Sequence, residues 1–483
     1  MKLIKILMII IEFLIFLQYN VVALEEQSQI VDARQILGAI GRGEAIFLNN
    51  VYVQGNLDLS GINLVKKEVP STEFIEYLGG RGSMRVVNSS ILIENSTING
   101  NIYFNNTIFD KNIYFENTKF NGSTDFSNSY FNDLAFFRST EYRQDAHFNF
   151  SHFNRTDFRY SVFNKNAFFE YAELNDNVNF DWANFKGNAN FNNTRFRKEA
   201  GFWNSTFLRR PYFISSSFSF VDFGYSTFNK GADFSLSSFN DEGRFWWSKF
   251  NDTAYFGGTD FKTLIGFYYA EFNRDLMMNK TNFQSLDLTG AQFGKESKIY
   301  LLYPEFVRLD SNRIFVRWDS IKKNLIYDEI LYLYLIKNFR NLAYFDDANN
   351  CYYQYRSENQ EREQDPLNKF FDILAFASCG YGVSIFNTII SSIGIIVFFW
   401  VYFCIRSRVD RLDWNDFILK LKELFSFSTI ILISAPSDFY PFGKKKYTKY
   451  INQYNKEANL ERLIGWSLFI LLINTLSRIM IRY

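Results

Sequence analysis

The sequence predicts a mainly β fold, a four-sided parallel β-helix, followed by an α-helical linker and a two-span α-helical membrane domain. Three observations carry this. From Phe104 to Phe293 a large apolar residue, nearly always phenylalanine, returns every five or six positions. Two residues before almost every beat stands a small one, as at Thr107, Thr118, Ala146, Ala167, Ala189 and Ala254. Further on, residues 385–405 and 463–481 form two apolar runs.

Neither a helix of period 3.6 nor a strand of period 2 produces such a beat, so the repeating unit is shorter than a secondary-structure element of ordinary size. If each unit forms one side of a square coil, the ring and the small residue before it both point inward, and four units close a turn. About 36 beats then give about nine coils and a rod of roughly 43 Å, at about 4.8 Å per coil. Every second unit tends to carry an extra residue, which is expected to loosen the coil locally.

This grammar resembles the pentapeptide-repeat family, whose units have a central Leu or Phe and a small residue two positions earlier; here the usual Leu is nearly always Phe. The resemblance covers about half of the chain and implies a right-handed quadrilateral parallel β-helix. Some members of that family mimic DNA and inhibit topoisomerases, but those rods are acidic and cytoplasmic.

Composition agrees with a ring-filled rod. The 483 residues include 57 Phe, and aromatics reach 20%, more than a globular core needs but suited to stacked rings. A net charge of +1 gives nucleic acid no electrostatic purchase. The three cysteines, Cys351, Cys379 and Cys404, are too far apart in sequence for a zinc spacing or a disulfide framework.

The chain opens with Lys2 and Lys5, an apolar run from Ile6 to Leu17, and Val21-Val22-Ala23, the pattern of a signal peptide over residues 1–23. Residues 24–45 hold a short capping helix from Asp32, with Ala33, Ile36, Leu37 and Ile40 on one face and Gly41 and Gly43 as stop signals. Its expected role is to cover the first coil, whose open edge would otherwise expose unpaired strands. The β-helix spans 46–294, with an insertion near 65–85.

Asn-x-Ser/Thr acceptors recur at Asn88, Asn95, Asn105, Asn121, Asn149, Asn154, Asn192, Asn204, Asn251 and Asn279. Export would make them candidates for glycosylation, although the repeat itself favours Asn after the ring and Ser or Thr at the small position. His147 and His152 fall on consecutive sides of the coil, an arrangement that does not converge on a metal. Trp203, Trp246, Trp247, Tyr255 and Tyr268 suggest a binding face for a glycan or protein partner, or else a covering for the rod. No catalytic, metal or cofactor residue is nominated; the acids that recur, among them Asp222 and Asp233, follow the grammar of the repeat.

Past Phe293 the beat stops, and residues 295–370 are expected to form a helical cap or linker. Ile326, Ile330, Leu333 and Ile336 are read as one face of a first helix there. The run from Asn338 to Ala348 looks like the elbow of a helical hairpin of tetratricopeptide type. Residues 371–483 then form the membrane domain. Ile385 to Ile405 is long enough to cross a bilayer, Leu463 to Ile481 is a second span, and Leu424 to Ala435 is a shorter piece expected to be re-entrant or interfacial.

A span, a loop and a second span beginning Glu461-Arg462-Leu463-Ile464-Gly465-Trp466 look like the two-helix pore domain of potassium-type channels. Where such a domain would carry Gly-Tyr-Gly-Asp-x-x-Pro, this chain has Ala435-Pro436-Ser437-Asp438-Phe439-Tyr440-Pro441. The degenerate filter-like segment Ala435, Pro436, Ser437, Asp438 and Pro441 keeps the Asp and Pro but lacks the glycines that let carbonyls line a pore. Gly380-Tyr381-Gly382 matches the triplet but precedes the first span. Lysines and arginines crowd the loop 406–462 and mark it as cytoplasmic, which places the repeats outside and inverts the channel orientation.

The expected function is therefore a non-enzymatic, multi-pass cell-membrane protein whose extracytoplasmic rod serves as a scaffold or binding module; the alternative is an ion channel or transport protein regulated by its repeats. Expected partners are membrane lipid, a protein or glycan on the rod and a second copy of the chain through the membrane helices.

Overall fold

A computed structural model of the chain describes residues 29–68, 83–301, 313–407, 414–433 and 444–480. The signal peptide, most of the insertion and the filter-like segment lie outside the described residues. The chain divides into two compact units, one ending at Ile326 and one beginning at Tyr327.

The first unit is a β-solenoid of parallel strands. Its first face is a sheet of 12 strands, one per coil, running from Gln29–Asp32 to Gln292–Phe293. Nine of these strands fall between Lys119–Phe120 and Gln292–Phe293, in keeping with the coil number expected over that stretch. The second face runs in two sheets bridged by Tyr212, which pairs with Asn190 and Asp233. The third and fourth faces join into one sheet of 17 strands, because Tyr130–Phe136, Arg195–Gly201 and Asp260–Gly266 continue around their shared corner.

The beat residues fill the interior. Every one from Phe104 to Phe272 is at most 2% exposed. Along the fourth face the rings of Phe137, Phe158, Phe180, Phe202 and Phe223 stack at 4.7–4.9 Å, close to the separation of paired strands. Across the lumen they meet edge to face, as Phe180 meets Phe191 at 5.5 Å and 83°, so both geometries that aromatic quadrupoles favour are used at once. The small residues leave room for the rings; at Gly243 a Cβ would come within 3.0 Å of the Phe239 ring.

Two kinds of corner alternate. After the second and fourth faces, the residue two past the ring is left-handed, at φ values such as 52° for Asn128, 61° for Trp182 and 59° for Trp247. The small residue's N–H then bonds back to the ring residue's carbonyl, as Ser205 N does to Phe202 O at 3.1 Å, the pattern of a turn that requires positive φ at its third position. The other two corners take the extra residue, and the expected loosening does not occur. Side-chain ladders bridge these corners, including Asn251 Nδ2 to Asn229 Oδ1 and Asn273 Nδ2 to Asn251 Oδ1, both 2.8 Å. Where adjacent coils differ in length at the corner between the third and fourth faces, a register shift absorbs the difference, between Phe131 and Leu134, Phe196 and Glu199, and Phe261 and Leu264.

Both ends are closed. Helix α1 (Ala33–Gly41) is capped by Asp32, which accepts the Arg34 N–H at 2.8 Å, and buries Ala33, Ile36 and Ile40 against the first strands. The solenoid continues past the last beat: Ile299–Tyr300 pairs with Leu276–Met277, and Arg313–Phe315 with Ser285–Asp287. Helix α2 (Trp318–Ile321) then buries Trp318 and Ile321, and the Asn324 amide donates to Gly294 O and Ser297 O at 2.8 Å each.

The second unit is helical. Helices α3 (Glu329–Asn341) and α4 (Phe345–Arg362) form the expected hairpin, turned by Ala343 at φ 58°. Its buried face is not the one read from the sequence: Leu331, Leu335 and Phe339 point inward, while Ile330 and Leu333 are exposed. Helix α5 (Pro366–Cys379) turns sharply into α6 (Ile385–Arg406) through Gly380, Tyr381 and Gly382, all at positive φ.

Next come α7 (Trp414–Ile433), α8 (Lys444–Gln453) and α9 (Asn455–Met480). The piece expected to be short and re-entrant belongs to α7, a helix of 20 residues that packs on both α6 and α9. Its polar first half hides the apolar stripe formed by Leu424, Phe427 and Ile431, which joins Phe399, Phe403, Tyr454 and Ala458 in one cluster. Gly465 permits the close crossing of α9 over α7, since a Cβ there would lie 2.1 Å from Leu432 O.

Candidate functional site

The corner after the fourth face carries the most distinctive surface of the rod. Over six successive coils, the positions one and two past the ring residue hold Tyr160, Trp182, Trp203, Tyr225, Trp246, Trp247, Tyr268 and Tyr269. Because the coil repeats with fixed register, these side chains form a continuous stripe. Ring centroids step from Tyr160 to Trp182 at 6.2 Å, on to Trp203 at 5.1 Å, Tyr225 at 5.5 Å, Trp247 at 6.1 Å and Tyr269 at 4.5 Å. Five coil steps make the stripe about 24 Å long. Tyr160 remains 45% exposed and Trp247 44%.

Local chemistry explains how such bulk fits. Trp182, Tyr225, Trp247 and Tyr269 occupy the left-handed corner position, which costs a side-chain-bearing residue about 1–2 kcal/mol. Asn holds the same position in earlier coils, at Asn95 and Asn117, where the amides bridge coils at 2.7 Å. The rings of Trp203 and Trp246 lie over glycines of the next coil: a Cβ on Gly224 would come within 3.1 Å of Trp203, and one on Gly266 within 2.6 Å of Trp246. Trp203 is turned 67° from Trp182 and 65° from Tyr225.

Charged groups border the rings. Asp181 accepts the Trp203 N–H at 2.8 Å, and Asp222 accepts the Gly224 N–H at 2.7 Å. Burial raises both carboxyl pKa values above their ordinary range, against the opposing pull of these hydrogen bonds. Asp157 pairs with Arg159 at 2.6 Å and Glu242 with Arg244 at 2.8 Å. The Arg244 guanidinium also lies 4.8 Å from the centroids of Phe220 and Trp246.

The structure gathers Trp203, Trp246, Trp247 and Tyr268 on this corner. Tyr255 sits elsewhere, on the second face under Arg210 at 4.9 Å. Tyr160, Trp182, Tyr225 and Tyr269 went unnoticed in the sequence, although counting one and two places past every fourth beat would have found them. His147 lies on the second face, stacked on Phe168 at 4.8 Å. His152 lies on the third, stacked on Tyr130 at 4.2 Å and 3.7 Å from Glu173.

Among the glycosylation candidates, Asn88, Asn95 and Asn154 are exposed, whereas Asn105, Asn121, Asn149, Asn192, Asn204, Asn251 and Asn279 are half-buried. Several hold coils together: Asn121 donates to Asn99 at 3.1 Å, and Asn192 Oδ1 accepts Ile214 N–H at 2.9 Å. Ala435, Pro436, Ser437, Asp438 and Pro441 lie outside the described residues.

Residues 158–206, which include the first half of the stripe, match the family model of pentapeptide repeats (9 copies). The chain is thus a β-solenoid protein with pentapeptide repeats, followed by a helical unit holding two helices, Ile385–Arg406 and Asn455–Ser477, long and apolar enough to cross a membrane. No curated protein and no solved structure matches the chain.

Proposed function

We propose that the protein is a non-enzymatic, membrane-anchored scaffold or binding module, with its solenoid on the extracytoplasmic side. The observation that carries this is the apolar surface of the second unit. On α6, Ile390, Ile393 and Phe398 are exposed, and on α9, Leu463, Phe469 and Ile470; lipid is the solvent that such surfaces fit. Helix α5 adds Leu367, Phe370, Phe371 and Leu374, a face suited to the headgroup boundary. The basic residues between α6 and α9 favour a cytoplasmic loop, which sets the rod outside. Protease added to intact cells should then cleave the rod; a rod left whole until the membrane is opened would refute the placement.

A second reading, an ion channel or transport protein with a degenerate pore domain regulated by its repeats, draws on Glu461. This carboxylate is wholly buried among the helices and hydrogen-bonded by Ser428, and ionisable groups within spans often mark ion paths. Cation current from purified protein in planar bilayers, lost in Glu461→Gln, would favour it over the scaffold.

A further inference from the structure

We propose that the stripe from Tyr160 to Tyr269 binds a linear, uncharged polysaccharide laid parallel to the rod. The inference deepens the binding-module reading and rests on it for the physiological location of the ligand, but not for the binding itself.

Four features of the stripe point to this class of ligand. First, the surface repeats with every coil along a straight line, so a polymer that itself repeats can make the same contact many times. A folded protein partner presents no such periodicity. Second, the exposed groups are tryptophan and tyrosine, each pairing an apolar face with a polar edge. Sugar rings have the complementary character, with C–H faces and hydroxyl rims.

Third, the rings of Trp203 and Trp246 lie over the glycines of the following coil, and the Trp203 plane is turned well away from the stacked rings on either side. Two coils, about 9.6 Å, separate these platforms, close to the length of a disaccharide in an extended chain. Sugars of like orientation would therefore meet Trp203 and Trp246 in turn.

Fourth, the charges suit hydroxyls and not a polyanion. Arg159 and Arg244 are engaged by Asp157 and Glu242, so they offer no surplus cation to an acidic polymer. Asp181 and Asp222 each accept a backbone N–H beside a flat indole or its supporting glycine, and a carboxylate has further lone pairs with which to accept sugar hydroxyls. No bond is made or broken in the assigned role; the acids orient the chain and the rings hold it.

The test uses the full-length protein in detergent, with cello-, xylo- and chito-oligosaccharides of two to six sugars as probes and hexagalacturonate as the acidic comparison. Tryptophan emission and calorimetric titration report binding. The expected result is saturable binding of at least one neutral hexasaccharide, weakening as the chain shortens, with hexagalacturonate inert. Trp203→Ala/Trp246→Ala should lower affinity at least tenfold. Tyr171→Ala, which alters the Phe150–Tyr171 stack at the other left-handed corner, should leave affinity unchanged, and far-ultraviolet dichroism checks that both variants retain the solenoid.

If no neutral hexasaccharide binds, or if the double variant with its fold intact binds as tightly as the parent, the assignment is wrong. Because the titration needs no membrane, a rod found inside the cell would overturn the proposed placement while leaving this result standing.

Discussion

Ser205 donates its hydroxyl to the carbonyl oxygen of Phe180, the ring residue at the same corner of the preceding coil, at 2.7 Å. The relation recurs from Thr194 to Phe169 at 2.7 Å, Ser151 to Phe126 at 2.7 Å and Ser216 to Phe191 at 2.6 Å. It explains why the small residue at this kind of corner is so often Ser or Thr, while Ala prevails at the corners that carry the extra residue. The hydroxyl ties coil to coil inside the rod, where no water competes.

Ser205→Ala should cost about 1 kcal/mol, because Phe180 O keeps the Ala183 N–H at 3.0 Å and alanine already stands at this position in Ala172 and Ala183. Ser205→Leu should cost more, since the rings leave no room. Thermal melts of the detergent-solubilised chain separate the two.

Phe180→Ala removes a ring held 4.9 Å from both Phe158 and Phe202. It should destabilise the central coils by about 3–5 kcal/mol, and Phe180→Leu by about 1 kcal/mol. Because each coil touches only its neighbours, hydrogen exchange should rise most at the coils flanking Phe180 and little at the ends.

The interior of this solenoid was legible in the sequence because one residue type marks it. The phenylalanine beat fixed period, inward direction and coil number from Phe104 to Phe272. Stretches without the beat were harder: past Phe293 the strands Ile299–Tyr300 and Arg313–Phe315 continue the coil through pairing that no side-chain pattern announces. On α3, where Leu, Ile and Tyr occur almost continuously, periodicity left the buried face ambiguous. The stripe was half visible; its members are regular only in a period of four beats, and the glycines that seat Trp203 and Trp246 lie a full coil away.

Trp247 stands at φ 59°, where a side chain costs about 1–2 kcal/mol and glycine costs none. Trp247→Gly and Trp247→Ala lose the same stacking on Tyr225 and Tyr269, so the glycine variant should be the more stable by about 1 kcal/mol. Equal stability would mean that this corner is not left-handed.

Burial raises the pKa of Asp222, so the folded rod binds protons more tightly there than the unfolded chain. This group's unfavourable contribution is absent at acid pH and grows as pH rises through and above the ordinary carboxylate range. Asp222→Asn keeps an acceptor for Gly224 N–H and removes that penalty. The variant should melt above the parent at pH 8, with the gap closing as the pH falls; a gap that widens towards acid would contradict the burial argument.

The most direct test of the account concerns the side of the membrane on which the rod stands. Single cysteines replace Lys198, exposed on the solenoid, and Lys456, exposed at the start of α9, in a chain whose own Cys351, Cys379 and Cys404 are changed to alanine. A membrane-impermeant maleimide applied to intact cells should label position 198 at once and position 456 only after permeabilisation. The reverse pattern, or protection of both, would contradict it.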